Sequence, residues 1–234
     1  MMMLSSASES RASRVNTMIN NIRAMVVILG ALLLASIQVN AMAAEKPYKI
    51  LALGTSLTQG YNLPPGTDFT AQLEARLNQG GYNVKITNAG VSGDTSAGGL
   101  ARLDWALSEP YDAATVEFGS NDALRGLKPA QTEANLDAIL LKLKSKNIKV
   151  LLTGMLAPRN LGPDYVKEFD AIYPRLAKKH NVRFYPFFLD GVAGDLKLNQ
   201  ADGIHPNEIG TQIIVARMYA HVVYLIKGQS ALPR

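Results

Sequence analysis

The sequence predicts an α/β fold, a parallel sheet covered by helices on both faces. Three observations carry that prediction. Short apolar runs alternate with helically periodic segments across residues 48–227, the pattern of consecutive βαβ units. No internal repeat and no long linker divides that stretch, so one domain is expected. Polar, turn-rich segments follow the first three apolar runs, at Ser56, Gly93 and Asn121. In a doubly wound sheet such strand ends lie along one edge, where ligands bind.

The elements follow in order. Tyr48, Ile50, Leu51 and Leu53 form a first strand that ends at Gly54-Thr55-Ser56, where Gly54 admits a sharp turn. Phe69, Leu73 and Leu77 recur at helical spacing until Gly80-Gly81. Residues 84–87 give a second strand, which runs into the glycine-rich loop 88–96. Leu100, Leu103 and Leu107 are the buried stripe of one helix ending before Pro110. Residues 113–118 make a third strand, closed by Gly119-Ser120-Asn121-Asp122. Pro129 opens a helix at a favoured position, with Leu136, Ile139, Leu140 and Leu143 inward and Lys142, Lys144 and Lys146 on a solvated face. A fourth strand spans 148–153, a helix 165–179 and a fifth strand 182–185. After the irregular stretch 186–200, Asp202-Gly203-Ile204-His205-Pro206 leads into a last helix over 208–227. Ile209, Ile213, Met218, Val222 and Leu225 are its expected apolar face.

The first 43 residues read differently. Arg11, Arg14 and Arg23 precede an apolar run, 24–37, and Ala41-Met42-Ala43 follows as a small-x-small cleavage signature. The run is shorter than the roughly 20 residues that span a bilayer. A cleaved signal peptide over 1–43, a single domain over 44–234 and export to the periplasm or beyond are expected, with no stable membrane anchor. Translation from Met18 is an alternative start, and no twin-arginine pair is present.

Composition narrows the chemistry. There is no cysteine, which excludes a thiol nucleophile, thiolate metal sites and disulfides. The net charge of +5 falls to +3 without the leader. The basic residues are scattered, with no aromatic-basic stripe, so nucleic acid is not an expected partner. A monomer is expected.

A serine hydroxyl becomes a nucleophile when a neighbouring base takes its proton. Among three histidines, His205 is the candidate base, because it sits in a polar loop before a proline; His180 and His221 lie in helical segments. Asp202 lies three residues earlier, and a turn at Gly203 would let its carboxylate hold one imidazole nitrogen, leaving the other for Ser56. Acyl transfer also needs donors aimed at the developing oxyanion. The backbone N–H groups of Ser56 and Gly93 and the side-chain amide of Asn121 are the candidates.

Four ordered segments, GTSL at 54–57, the Gly93 loop, GSND at 119–122 and DGIHP at 202–206, resemble the blocks of the SGNH (GDSL-like) hydrolases. NAGVSGDTSAGGLARL and NDALRG are similar to the secreted bacterial thioesterase I, lysophospholipase L1 and arylesterase branch, and the likeness spans the mature chain. The resemblance implies a flavodoxin-like three-layer α/β/α sandwich with strand order 2-1-3-4-5. It implies Ser56 as nucleophile, His205 as base and Asp202 as its orienting acid, with Ser56, Gly93 and Asn121 as the oxyanion hole. No metal or organic cofactor is implied. One position departs from the family: Thr55 stands where an aspartate is usual.

The expected activity is hydrolysis of aryl and acyl esters, and of thioesters or lysophospholipids. Leu124, Leu127, Met155, Leu156 and Leu161 are candidates to line an acyl groove. Deacetylation of an envelope polysaccharide is the competing enzymatic reading, although the single Trp105 falls in a helical segment. A catalytically silent acyl- or glycan-binding protein is the reading from another class, and Thr55 is its only support.

Overall fold

The computed structural model describes residues 17, 18, 20–26 and 46–228. The chain divides into two units, Met1–Lys46 and Pro47–Arg234. In the first, residues 17, 18 and 20–26 are helical. The rest of the expected leader, with its cleavage site at Ala41-Met42-Ala43, lies outside the described residues.

The second unit is built on five parallel strands, β1 (Tyr48–Gly54), β2 (Val84–Gly90), β3 (Ala113–Val116), β4 (Lys149–Thr153) and β5 (Arg183–Tyr185). Their order is β2-β1-β3-β4-β5, the order that the resemblance implies. Position in the sheet explains the residue pattern. β1 is an interior strand, paired on both sides, and Ile50, Leu51, Ala52 and Leu53 are all buried as a continuous run. β2 is an edge strand and alternates, with Val84 and Ile86 buried and Lys85 and Thr87 exposed. Helices α2 (Phe69–Gln79) and α9 (Glu208–Lys227) pack together, and α9 also lies on β4 and β5. A second set, α3 (Ser96–Ala101), α4 (Leu103–Ala106), α6 (Pro129–Ser145), α7 (Pro163–Asp170) and α8 (Ile172–His180), packs along α6. Two short helices, α1 (Ser56–Gln59) and α5 (Ser120–Leu124), follow β1 and β3, α5 after the intervening residues 117–119.

Local chemistry places the ends. The Asp68 carboxylate caps α2, accepting from the Thr70 and Ala71 N–H groups at 3.0 and 3.1 Å, which contributes about 1 kcal/mol. Pro129 opens α6 as expected, and Leu136, Ile139, Leu140 and Leu143 are completely buried. Each such side chain contributes about 1.5–3 kcal/mol relative to exposure.

Four expectations need correction. The helix carrying Leu100, Leu103 and Leu107 is two helices, broken at Arg102. There the guanidinium turns inward to Asp94 Oδ2 at 2.6 Å and the Gly54 carbonyl at 3.0 Å. The expected helix 165–179 is also two, α7 and α8, separated at Ala171. Pro174 has no N–H for the Asp170 carbonyl, and its ring would strike that carbonyl in a continuous helix. In α9 the buried stripe runs through Gly210, Thr211, Ile214, Val215, Met218, Val222 and Leu225. Gly210 sets that phase: a Cβ there would stand 2.1 Å from the Leu198 carbonyl oxygen, so Ile209 points outward and is 57% exposed. Finally, Gly54 has no positive φ. It is glycine because a Cβ would meet Thr58 Oγ1 at 2.0 Å and Glu117 Oε2 at 2.6 Å.

The strand register brings the active edge together. Gly54 pairs with Gly90, and Leu53 with Val116, so β1, β2 and β3 end at the same level. The loops bearing Ser56, Gly93 and Asn121 therefore leave the sheet side by side.

Candidate active site

Ser56 is the first residue of α1, just past the end of β1. Thr55 caps this helix in extended conformation, and its Oγ1 accepts from the Leu57 N–H at 3.4 Å. Gly90 lets the helix lie close: a Cβ there would stand 2.3 Å from the Gln59 nitrogen and 2.8 Å from the Thr55 carbonyl. Ser56 is 8% exposed.

His205 reaches it from 149 positions away in sequence, with Nε2 2.9 Å from Ser56 Oγ. On the other side of the ring, Nδ1 is 2.7 Å from Asp202 Oδ2. Asp202 Oδ1 accepts the N–H groups of Ile204 and His205, each at 3.0 Å. A positive φ of 74° at Gly203 makes this tight turn possible. The His205 N–H first, with the imidazole and the Ile204 N–H, holds the Asp202 carboxyl down at about 2. An ionised carboxylate can only accept, so Nδ1 carries the imidazole hydrogen and Nε2 is left to accept from the serine hydroxyl.

The histidine loop is itself anchored. Gln200 N–H donates to the His205 carbonyl at 2.7 Å, and the Gln200 side chain donates to the Tyr61 and Pro206 carbonyls at 2.7 and 3.0 Å. The Tyr61 ring lies 4.7 Å from the imidazole, centroid to centroid.

Of the candidate oxyanion donors, Ser56 and Asn121 line one groove and Gly93 does not. The Ser56 N–H opens a helix and so has no intrahelical acceptor. The Asn121 amide donates one hydrogen to the Asp94 carbonyl at 2.8 Å, which ties it to the residue after Gly93. The Gly93 carbonyl accepts from Arg125 Nη2 at 2.8 Å, and the Gly93 N–H has no acceptor among the described residues. Ser56, Asn121 and His205 open onto one groove of about 610 Å³. Its apolar walls include Leu57, Leu124, Met155, Leu156, Phe187 and Ile204. Leu127 and Leu161 do not line it. The Leu127 carbonyl instead accepts from the Tyr165 hydroxyl at 2.7 Å, and Leu161 ends a short 3-10 turn, Arg159–Leu161. Among the described residues no group of three or more His, Cys, Asp or Glu side chains is arranged to hold a metal ion.

Residues 52–213, from β1 into α9, match one family along their length. The chain belongs to the GDSL-like lipase/acylhydrolase family. It is 43% identical over 158 residues to an esterase, TesA, of Pseudomonas aeruginosa, covering 67% of this chain and 79% of that one. It is 38% identical over 182 residues to the thioesterase 1/protease 1/lysophospholipase L1 of Escherichia coli K12, covering 77% of this chain and 86% of that one. Among solved structures it is similar to AlinE4, an SGNH-hydrolase family esterase, with a TM-score of 0.67 and 44% identity over 80% of this chain and all of AlinE4. This GDSL-like hydrolase thus has the SGNH α/β fold, and it is a carboxylic ester hydrolase.

The departure at residue 55 now has a structural setting. Thr55 is completely buried. Its N–H donates to Glu117 Oε2 at 2.9 Å, and its hydroxyl lies 3.0 and 3.1 Å from the two carboxylate oxygens. Thr58 adds a third donor at 2.9 Å. Glu117, with Tyr61, Gln200 and the groove residues Leu57, Phe187 and Ile204, is absent from the residues singled out by sequence. A charged residue directly after the apolar run 113–116 was the available signal for Glu117. Nothing in the sequence pairs Tyr61 or Gln200 with His205.

Proposed function

We propose that this GDSL-like hydrolase cleaves aryl and acyl esters, and thioesters or lysophospholipids, through Ser56, His205 and Asp202 and an acyl-enzyme. The observation that carries the reading is the unbroken relay from Ser56 Oγ to His205 Nε2 and from Nδ1 to Asp202, set in the wall of an apolar groove.

The steps follow from that geometry. His205 takes the Ser56 proton as Oγ attacks the substrate carbonyl, and the ionised Asp202 stabilises the imidazolium that forms. The oxyanion is received by the Ser56 and Gly93 N–H groups and the Asn121 amide. His205 then protonates the leaving alcohol or thiol, and an ester on Ser56 remains. Water, activated by the same imidazole, repeats the sequence and frees the acid. Leu57, Leu124, Met155, Leu156 and Phe187 offer the acyl chain an apolar bed. The names of the relatives, esterase and thioesterase/lysophospholipase, are consistent with that range. Residues 1–43 serve as an export leader, and residues 44–234 are the working enzyme, a monomer that needs no cofactor.

The test is acyl-chain selectivity, measured on enzyme recovered from the periplasm or medium with Ala44 as its first residue. With p-nitrophenyl esters, kcat/KM is expected to rise about tenfold or more per two added methylenes until the groove is filled. Release of acetate from acetylated glycan is expected to stay far slower. A preference for the glycan would replace this reading with the polysaccharide one; Trp105, although 75% exposed, does not line the groove.

A further inference from the structure

We propose that Glu117 is a positioning residue, whose carboxylate must be ionised to hold the turn that carries Ser56. The inference rests on Ser56 being the nucleophile, as proposed above, and goes beyond it to a group that never touches substrate.

Glu117 is 1% exposed and lies between β3 and α5. Its carboxylate takes three donors: the Thr55 N–H, the Thr55 hydroxyl and the Thr58 hydroxyl. These come from the residue before Ser56 and from the second residue after it. The carboxylate therefore grips α1 on both sides of the serine. Because α1 has only four residues, it cannot hold its own direction by helical hydrogen bonding. The direction of the Ser56 hydroxyl and N–H is set instead by what its two neighbours are tied to.

An ionised carboxylate is an acceptor only, and all three donors suit it. All three bonds fall on Oε2. Protonation of the other oxygen would turn Oε2 from a charged into a neutral acceptor and weaken all three, because charge-assisted bonds are roughly twice as strong, in a place where Thr55 and Thr58 are 0 and 1% exposed and water cannot make up the loss. The surroundings leave this charge uncompensated. No lysine, arginine or histidine pairs with Glu117 among the described residues. From β1 it faces Gly54, whose missing side chain makes the room. From the α3–α4 break, Arg102 is bound to the Gly54 carbonyl and Asp94. From α8, the Tyr173 hydroxyl donates to the Phe118 carbonyl and stays protonated, because burial, then Asp122 and Glu117, push it well above its usual range. Burial pushes the Glu117 carboxyl up to about 7, against the pull of the threonine donors. Its charge is thus not fixed at neutral pH. A glutamine would fill the space without burying a charge, and a costly ionisable group beside a reacting one points to function. Thr55 belongs to the same device. An aspartate there would face Glu117, and two carboxyls that close share a proton; a threonine donates and favours the ionised form of Glu117.

The test is the acid limb of kcat/KM, read with Ser56 labelling by a fluorophosphonate. In the wild type, log(kcat/KM) is expected to fall at low pH with a slope of about two, one of the two protons being on Glu117. In Glu117→Gln the slope is expected to be about one, with kcat lowered about ten- to a hundredfold and KM little changed. Thr58→Ala removes a donor and is expected to move the Glu117 limb to higher pH, and Thr58→Ser to restore it. This pair decides the matter if Glu117→Gln does not fold. A slope of one in the wild type, or a limb unmoved in both Glu117→Gln and Thr58→Ala, would overturn the role of Glu117 while Ser56 still labels. Failure of Ser56 to label at any pH would overturn the nucleophile itself.

Discussion

Ser56→Ala is expected to lower kcat/KM on a p-nitrophenyl ester by about 10⁴-fold or more. Among the described residues no other hydroxyl is bonded to His205 Nε2, so the acyl-enzyme cannot form and only the oxyanion donors and the groove are left to help water attack. The fold should be untouched. The substitution removes one oxygen and one hydrogen bond, about 1 kcal/mol. In a domain of this size that moves the unfolding midpoint by roughly 2–4 °C. Kinetics with thermal unfolding on the same sample check both halves. Ester hydrolysis within tenfold of the wild type would move the nucleophile elsewhere.

His205→Ala is expected to cost about as much, because the imidazole acts in both acylation and deacylation. The double variant, Ser56→Ala with His205→Ala, is expected to be no worse than either alone, since the two groups act as one unit. The residual rate of His205→Ala should climb with pH as hydroxide takes over the role of base. Measuring all three variants across pH 5–9 tests the coupling. Additive losses, each multiplying the other, would mean that serine and histidine serve separate purposes.

Much of this was legible because the relevant constraints are local. The apolar run of β1, the Gly80-Gly81 stop after α2, Pro129 at the start of α6 and the turn at Gly203 each follow from a few adjacent residues. The pairing of Asp202 with His205 is local too, three residues apart across one tight turn. The approach of Ser56 to His205 is not local. It was legible only because βαβ alternation fixes which strand ends share an edge, and because four ordered blocks resemble a known family. What stayed hidden depends on contacts across the fold. The phase of α9 is set by the Leu198 carbonyl against Gly210, which no helical periodicity reveals. The reason for Gly54 is the Thr58–Glu117 bond beside it rather than a turn. Glu117 fell inside the expected third strand, 113–118, which in the structure ends at Val116. The break between α7 and α8 is different, since Pro174 announces it and the apolar period masks it.

The most direct measurement of the central claim, that Ser56 is an activated nucleophile, is covalent labelling with a fluorophosphonate followed by peptide mass mapping. Stoichiometric modification on Ser56 is expected, abolished in Ser56→Ala and slowed about 10³-fold or more in His205→Ala. A wild-type protein that stays unmodified at neutral pH, or one modified at another residue with Ser56 intact, would contradict it.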